Sequence, residues 1–176
     1  DISECCDLLI CFHQTWMKHV IDLGVPREKV TYIDHPPPKN LEISYQNIFK
    51  FSHDDFVILN LNRNSYRKLN DISIDGFIKF FKQNNCSPRI KLFLGCKFGF
   101  EGCYQIDKLI KCFSQIHGLT PSEYDILVNN SILRLTTDSA SDETIHQLYQ
   151  SCDVGINTCG GEGYGLCNIE HQLYGK

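Results

Sequence analysis

The sequence predicts an α/β fold built on a doubly wound parallel sheet, and three observations carry that prediction. Apolar runs of strand length alternate with segments of helical periodicity. The run FVILNLN (56–62) is almost continuously apolar, as expected of a parallel strand buried on both faces. Glycines and a proline cluster punctuate the alternation. Sheets of this type bind ligands outside the carboxyl ends of their strands, so the loops that follow strands are where chemistry is sought.

In chain order, DLLICF reads as a strand, HQTWMKHVIDLG as a helix closed by Gly24, and KVTYID as a second short strand. Residues 1–34 therefore read as the tail of an α/β unit whose other strands lie outside this chain, with Trp16 and Met17 packing against that missing part. The prolines of DHPPPKN lack N–H donors and stiffen the backbone, which makes 35–50 a linker. In the second domain, 51–176, FVILNLN comes first, and Ile74, Phe77, Ile78 and Phe81 fall at i, i+3, i+4, i+7, the spacing of a helix face. RIKLFLG is the next strand. Ile106, Leu109, Ile110 and Phe113 repeat the helical spacing, and Gly118 is placed to end that helix. TPSEYDILVNN starts a helix with Thr120 as cap, Pro121 at the first position and Glu123 at the third. SILRL is a strand, Ile145, Leu148, Tyr149 and Cys152 mark another helix, and DVGINT is the last strand.

Composition narrows the function classes. The 176 residues, 42% hydrophobic and 22% charged, suffice for one ordinary α/β domain and part of a neighbour. No run approaches the ~20 apolar residues of a membrane span, and the first residues lack the basic start of a secretory signal. A net charge of −4 and a pI near 5.9 argue against a nucleic-acid surface. The ten cysteines form no C-x-x-C pair and no zinc-spaced cluster with histidine. Most sit in apolar patterns such as DLLICF, KLFLGC and KLIKCF, where cysteine behaves as a small buried hydrophobe, which favours a reduced, cytoplasmic setting.

Two loops carry candidate chemistry, NRNSYRK after the first strand of the second domain and CGGEGYG after the last strand identified. Arg63, Arg67 and Lys68 offer a planar fork and a mobile point charge for phosphate oxygens, or are simply solvated. Gly163 and Gly165 let backbone approach a ligand, and a helix starting near Gly165 aims free N–H groups at an anion; the same glycines also fit a plain tight turn. Glu162 and Glu170 flank that helix start, Glu170 about 7.5 Å along the axis at ~1.5 Å per residue. A diphosphate fits between them, each acid accepting from hydroxyls of a sugar at either end, the layout of a nucleotide sugar. Alternatively, Glu162 complements the helix dipole and Glu170 is solvated. His13, His19 and His171 read as structural or solvated.

The run DETIHQLYQSCDVGINTCGGEGYGLCNIEHQLYGK (142–176) resembles the donor-binding segment of the retaining family-4 glycosyltransferases, also called glycosyl transferases group 1. The matching positions are Asp153-Val154, Glu162-Gly163-Tyr164-Gly165-Leu166, Glu170 completing E-x(7)-E, and Gly175. NLNRNSYRKLN is similar to that family's diphosphate loop at Arg63 and Lys68, with departures: Asn62 stands where glycine is usual, and five rather than six positions separate Arg from Lys, so Arg67 shares or takes over the role. CDLLICFHQTWMKHVIDLGVPREKVTYIDHP resembles the end of the family's N-terminal domain and its crossing into the C-terminal one.

The resemblance implies the Rossmann-like C-terminal half of a GT-B glycosyltransferase, incomplete at both ends: a fragment of a longer enzyme, inactive alone. It implies Glu170 on the ribose, Glu162 on the transferred sugar, amides of Gly165, Leu166 and Cys167 on sugar or phosphate, and Arg63 with Lys68 on the diphosphate of a UDP- or GDP-sugar. Asp138 and Ser139 fall where the nucleobase is placed. It implies no metal and no cofactor, and no D-x-D motif is present. The acceptor, whether glycan, lipid or protein, is not legible, and any membrane contact is expected through parts outside this chain. Two other classes compete. A non-catalytic nucleotide-sugar sensor would share the site. A dinucleotide-dependent oxidoreductase would place G-x-G-x-x-G after an early strand, whereas these glycines follow a late one.

Overall fold

A computed structural model describes residues 5–34, 45–96, 103–135 and 140–176. The chain divides into two compact units, Asp1–Pro38 and Lys39–Lys176. In the first unit, strand β1 (Leu9–Cys11) pairs in parallel with β2 (Val30–Tyr32), Leu9 opposite Val30, and helix α1 (Gln14–Asp22) connects them. His13 caps α1, its Nδ1 accepting from the Thr15 amide at 3.1 Å. Cys11 and Val30 are buried beneath the helix, whereas Trp16 is 53% exposed and meets His19 edge-on at 5.6 Å.

The second unit is a four-stranded parallel sheet in the order β5-β4-β3-β6, formed by β3 (Phe56–Asn60), β4 (Ile90–Leu94), β5 (Ile132–Arg134) and β6 (Val154–Gly155). The chain starts in the middle at β3, steps outward through β4 and β5, then returns to the other side of β3 as β6. Right-handed crossovers in opposite directions put helices on opposite faces. Two cores result. On one face α2 (Asn70–Gln83) and α3 (Ile106–Ile116) pack Ile74, Phe77, Ile78, Phe81, Ile106 and Ile110 against Leu92 and Leu94. On the other, α5 (Asp142–Ser151) packs Leu148 and Tyr149 against Val57, Leu59 and Phe93. Alternate residues of β3 and β4 thus enter opposite cores, which is why both strands read as unbroken apolar runs. Each fully buried Ile, Leu or Phe contributes roughly 1.5–3 kcal/mol.

Local signals set the element ends. Thr120 and Glu123 form the reciprocal capping box of α4 (Pro121–Ile126), at 3.3 and 2.7 Å, and beyond it the helical path widens over Leu127–Ser131. Ser141 caps α5 through the Thr144 amide at 3.2 Å. The strands are shorter than the apolar runs that announce them. β6 covers only Val154–Gly155 of DVGINT because β3 is its one neighbour, and Asp153 extends that pairing with its carboxylate, which accepts from the Val57 amide at 2.8 Å. Of the predicted linker, 35–44 lie outside the described residues. Residues 45–50 touch the rest of the second unit at two points and are otherwise exposed: the half-buried Phe49 meets Phe93 edge-on at 5.4 Å, and the Gln46 amide donates to Gln147 Oε1 at 2.7 Å. The half-buried Phe49 and Phe51 rings anchor this end of the predicted linker on the core around Phe93.

Of the cysteines expected to be buried, Cys11, Cys86, Cys96 and Cys152 are, but Cys112 of KLIKCF is exposed, since it lies on the outer side of α3. No helix among the described residues is long and apolar enough to cross a membrane.

Candidate functional site

The sheet's strand order reverses between β3 and β6, so the loops leaving their carboxyl ends diverge to opposite faces and open a crevice between them. These are the two loops singled out by the sequence. Thr158 joins them: its one hydroxyl proton is shared between the carbonyls of Lys68 (3.1 Å) and Leu69 (2.9 Å), and its oxygen lies 2.7 Å from the Ser73 hydroxyl, which can donate to it. Leu69 is left-handed (φ 49°) and precedes α2 without a capping side chain, so the Thr158 bond holds a backbone turn that local sequence does not favour. Gly160 adds a backbone bond, donating to the Arg67 carbonyl at 2.9 Å.

A second layer of contacts is made by asparagines. Asn60 donates to Ser73 Oγ at 2.6 Å, and the Asn62 amide donates to Asn60 Oδ1 at 2.6 Å and to Asn157 Oδ1 at 3.3 Å. Asn60 and Asn62 are buried. Their polar groups are satisfied by one another, as burial requires. Asn62, standing where the resembled family has glycine, therefore ties the first loop to the second.

One cleft of about 260 Å³ opens between the loops, lined by Asn62, Lys68, Asn157, Glu162, Tyr164, Gly165, Leu166 and Cys167. Lys68 Nζ forms an ion pair with Glu162 Oε1 across it, and Arg67 reaches Glu162 Oε2 at 3.3 Å while also donating to the Gly161 carbonyl and approaching Cys159 Sγ at 3.3 Å. The Lys68 side chain is only 12% exposed and that of Glu162 25%. In this state the cation and the acid that the sequence reading assigns to different parts of a ligand are bound to each other.

Gly165 (φ 79°) turns the chain into α6 (Leu166–Gln172), a left-handed cap that a side chain would strain. Cys167 is on the first turn of α6, and Glu170, three residues on, shares its face. Burial pushes the Cys167 thiol up, the Glu170 charge adds to this, and the Lys68 charge opposes it. Cys167 thus lies within electrostatic reach of both Lys68 and Glu170, although Glu170 itself is not among the cleft-lining residues. Glu170 Oε2 accepts from the Tyr149 hydroxyl at 2.7 Å. His171 faces away from the cleft, 3% exposed, with its pKa lowered by burial; a Cβ at Gly155 would lie 2.6 Å from its Nδ1. The reading of His171 as structural or solvated resolves to structural.

The structure thus brings together Lys68, Glu162, Tyr164, Gly165, Leu166 and Cys167, with Arg67, Gly163 and Glu170 at the edges of the same two segments. Arg63 is set apart: it is exposed, its carbonyl accepts from Asn70 Nδ2 at 3.2 Å, and its side chain is not among the groups lining the cleft. Asp138 and Ser139 lie outside the described residues. Sequence reasoning missed Asn62 and Asn157 as cleft residues, Thr158 as the joint and Tyr149 as the partner of Glu170. Polar asparagines at the carboxyl ends of apolar strands were a usable signal for the first two; Tyr149 is indistinguishable from core by its helical spacing.

Comparison with known proteins finds no matching family model and no matching curated protein. Solved structures do match. A point mutant of S. aureus TarM, in complex with fondaparinux, α-GlcNAc-glycerol and UDP, superposes with a TM-score of 0.62 at 15% identity over 98% of this chain. Anabaena Alr3699/HepE, in complex with UDP and glucose, gives 0.61 at 21% identity over 97%. The fold is Rossmann-like α/β of the GT-B type. This chain spans 29% of the length of the first protein and 43% of the second, less than half of either.

Proposed function

We propose that this chain is the nucleotide-sugar-binding part of a retaining glycosyltransferase that works without a metal. The observation that carries the proposal is the meeting of Lys68 with Glu162 and the Gly165–Cys167 backbone in one cleft at the reversal point of the sheet. Small-molecule sites usually enclose ~300–1,000 Å³, so a cleft of about 260 Å³ fits the diphosphate and the adjoining sugar rather than a whole nucleotide sugar. The two solved structures of like fold hold UDP, which agrees with this assignment.

In the proposed reaction the bond from the anomeric carbon to the diphosphate oxygen breaks and its electron pair leaves with the nucleoside diphosphate, while an acceptor hydroxyl oxygen bonds to the same face of that carbon and its proton passes to the departing diphosphate. Lys68 and Arg67 supply fixed positive charge where that negative charge develops. Glu162 accepts from hydroxyls of the transferred sugar, and Glu170 from those of the ribose. Arg67 takes the place of Arg63, because it is Arg67 that reaches the acid loop. An oxidoreductase reading finds no support, since residues 61–69 after β3, the first strand of the sheet, contain no glycine.

Titration calorimetry of the chain with UDP, GDP and their sugars tests the proposal. Binding is expected, weakened about tenfold or more by Lys68→Ala and by Glu170→Ala, in line with the ~1.5–3 kcal/mol of a charged hydrogen bond. Absence of binding to every one of these ligands refutes the site. Release of free nucleotide from a bound nucleotide sugar by the full-length protein with an acceptor separates a transferase from a sensor.

A further inference from the structure

Glu170 is carried by a helix of only about two turns that follows a two-residue strand, so little backbone pairing fixes it. The packing of α6 on α5 supplies what the backbone lacks. Tyr149, on α5, is fully buried. Its ring is stacked on His171 (centroids 5.4 Å, planes 28° apart) and on Tyr174 (6.1 Å, 26°). His146 stands edge-on to both tyrosines, at 6.4 and 5.6 Å, and its Nδ1 pairs with the Tyr174 hydroxyl. A fully buried ring packed against three others has little freedom to swing, which fixes where its hydroxyl oxygen lies. It lies 2.7 Å from Glu170 Oε2.

We infer that Tyr149 is the positioning residue of the ribose-recognising carboxylate, setting the orientation of Glu170 before ligand arrives. The inference rests on the nucleotide-sugar reading of the cleft. A phenol donating to one carboxylate oxygen fixes the plane of the group and leaves the other oxygen to accept from a vicinal diol. The donor strengthens the assignment chemically. A neutral hydroxyl can orient the carboxylate without cancelling its charge, as a lysine would. The tyrosine itself stays protonated, since burial and the carboxylate beside it both push its pKa up. Tyr149 touches no part of the ligand in this scheme; its hydroxyl also hydrogen-bonds the Cys167 side chain, and its effect on the diol passes through Glu170.

The test compares UDP with 2′,3′-dideoxyuridine diphosphate, which keeps the base and diphosphate and lacks the diol. Tyr149→Phe keeps the ring and its stacking and deletes only the hydroxyl. UDP binding is expected to weaken roughly five- to thirtyfold, less than the ~10- to 150-fold that losing a direct hydrogen bond to a charged group costs, because Glu170 remains but is no longer aimed. Binding of the dideoxy compound should change less than twofold, because it makes no use of Glu170. Combined with Glu170→Ala, Tyr149→Phe should add nothing further. Should Tyr149→Phe not fold, Glu170→Asp carries the test, since it keeps the charge but withdraws the carboxylate from the Tyr149 hydroxyl; the same selective loss is expected. Equal weakening for both ligands, or none for UDP, overturns the positioning role while leaving the nucleotide reading intact. If the unsubstituted chain binds neither ligand, the nucleotide reading itself fails.

Discussion

Replacing Glu162 by Gln should make the protein bind UDP more tightly, although Glu162 belongs to the site. The reason is the pairing seen across the cleft. Lys68 can meet a diphosphate only after leaving the Glu162 carboxylate, and Arg67 partly so. A ligand that needs a minor state is weakened by that state's population, so the free energy of the ion pair is subtracted from the affinity for UDP. Exposed pairs are worth ~0.2–1 kcal/mol. Here the side chains are 12% and 25% exposed, so screening by water is reduced, but two charges must also be desolvated. A net value of ~0.5–1.4 kcal/mol follows, which corresponds to roughly two- to tenfold tighter UDP binding in Glu162→Gln. Removing a negative charge beside the diphosphate acts in the same direction. UDP-sugars should gain less, since the glutamine accepts more weakly from sugar hydroxyls. Calorimetry with UDP on Glu162→Gln, Lys68→Ala and the double variant reads this out. The gain should shrink once Lys68 is alanine, leaving only what the freed Arg67 and the lost charge beside the diphosphate contribute. Unchanged or weaker UDP binding in Glu162→Gln, with thermal stability preserved, would show that the pair does not compete with ligand.

Two further predictions concern stability and reactivity. Glu123 is held down to about 2 from an ordinary 4.5, first by hydrogen bonds from Lys82 and then by the Thr120 amide. A carboxyl depressed in the folded state contributes stability that is fully present above pH 4.5 and lost as pH falls toward 2. Glu123→Gln should therefore flatten the fall of the urea midpoint in that window, and an unchanged slope would dismiss the capping pair as its source. Burial pushes the thiols of Cys96 and Cys152 up to about 11 and about 12, whereas Cys5 and Cys112 are exposed. Timed alkylation at pH 8 with mass spectrometry should label Cys5 and Cys112 first, because the thiolate is the reacting species; early labelling of Cys152 would mean that the core around α5 opens readily.

The order and type of the elements, and the loops that carry chemistry, are legible in the order of the residues alone. Runs such as FVILN and IKLFL can be buried on both faces only in a parallel sheet, and the capping box at Thr120 or the glycine at 165 acts over three or four residues, so each is readable in place. E-x(7)-E likewise marked Glu162 and Glu170 because its spacing lies within one turn and one helix. Which of these residues meet depends on how the strands and helices pack. The reversal of strand order between β3 and β6 brings Lys68 to Glu162, ninety-four positions away, and sets Arg63 apart while Arg67, at the edge of the cleft, reaches Glu162. The Asn60–Asn62–Asn157 bonds and the Tyr149 hydroxyl on Glu170 arise the same way. Periodicity records whether a residue is buried. It does not record where the polar atom on a buried ring points, which is fixed only when two helices pack.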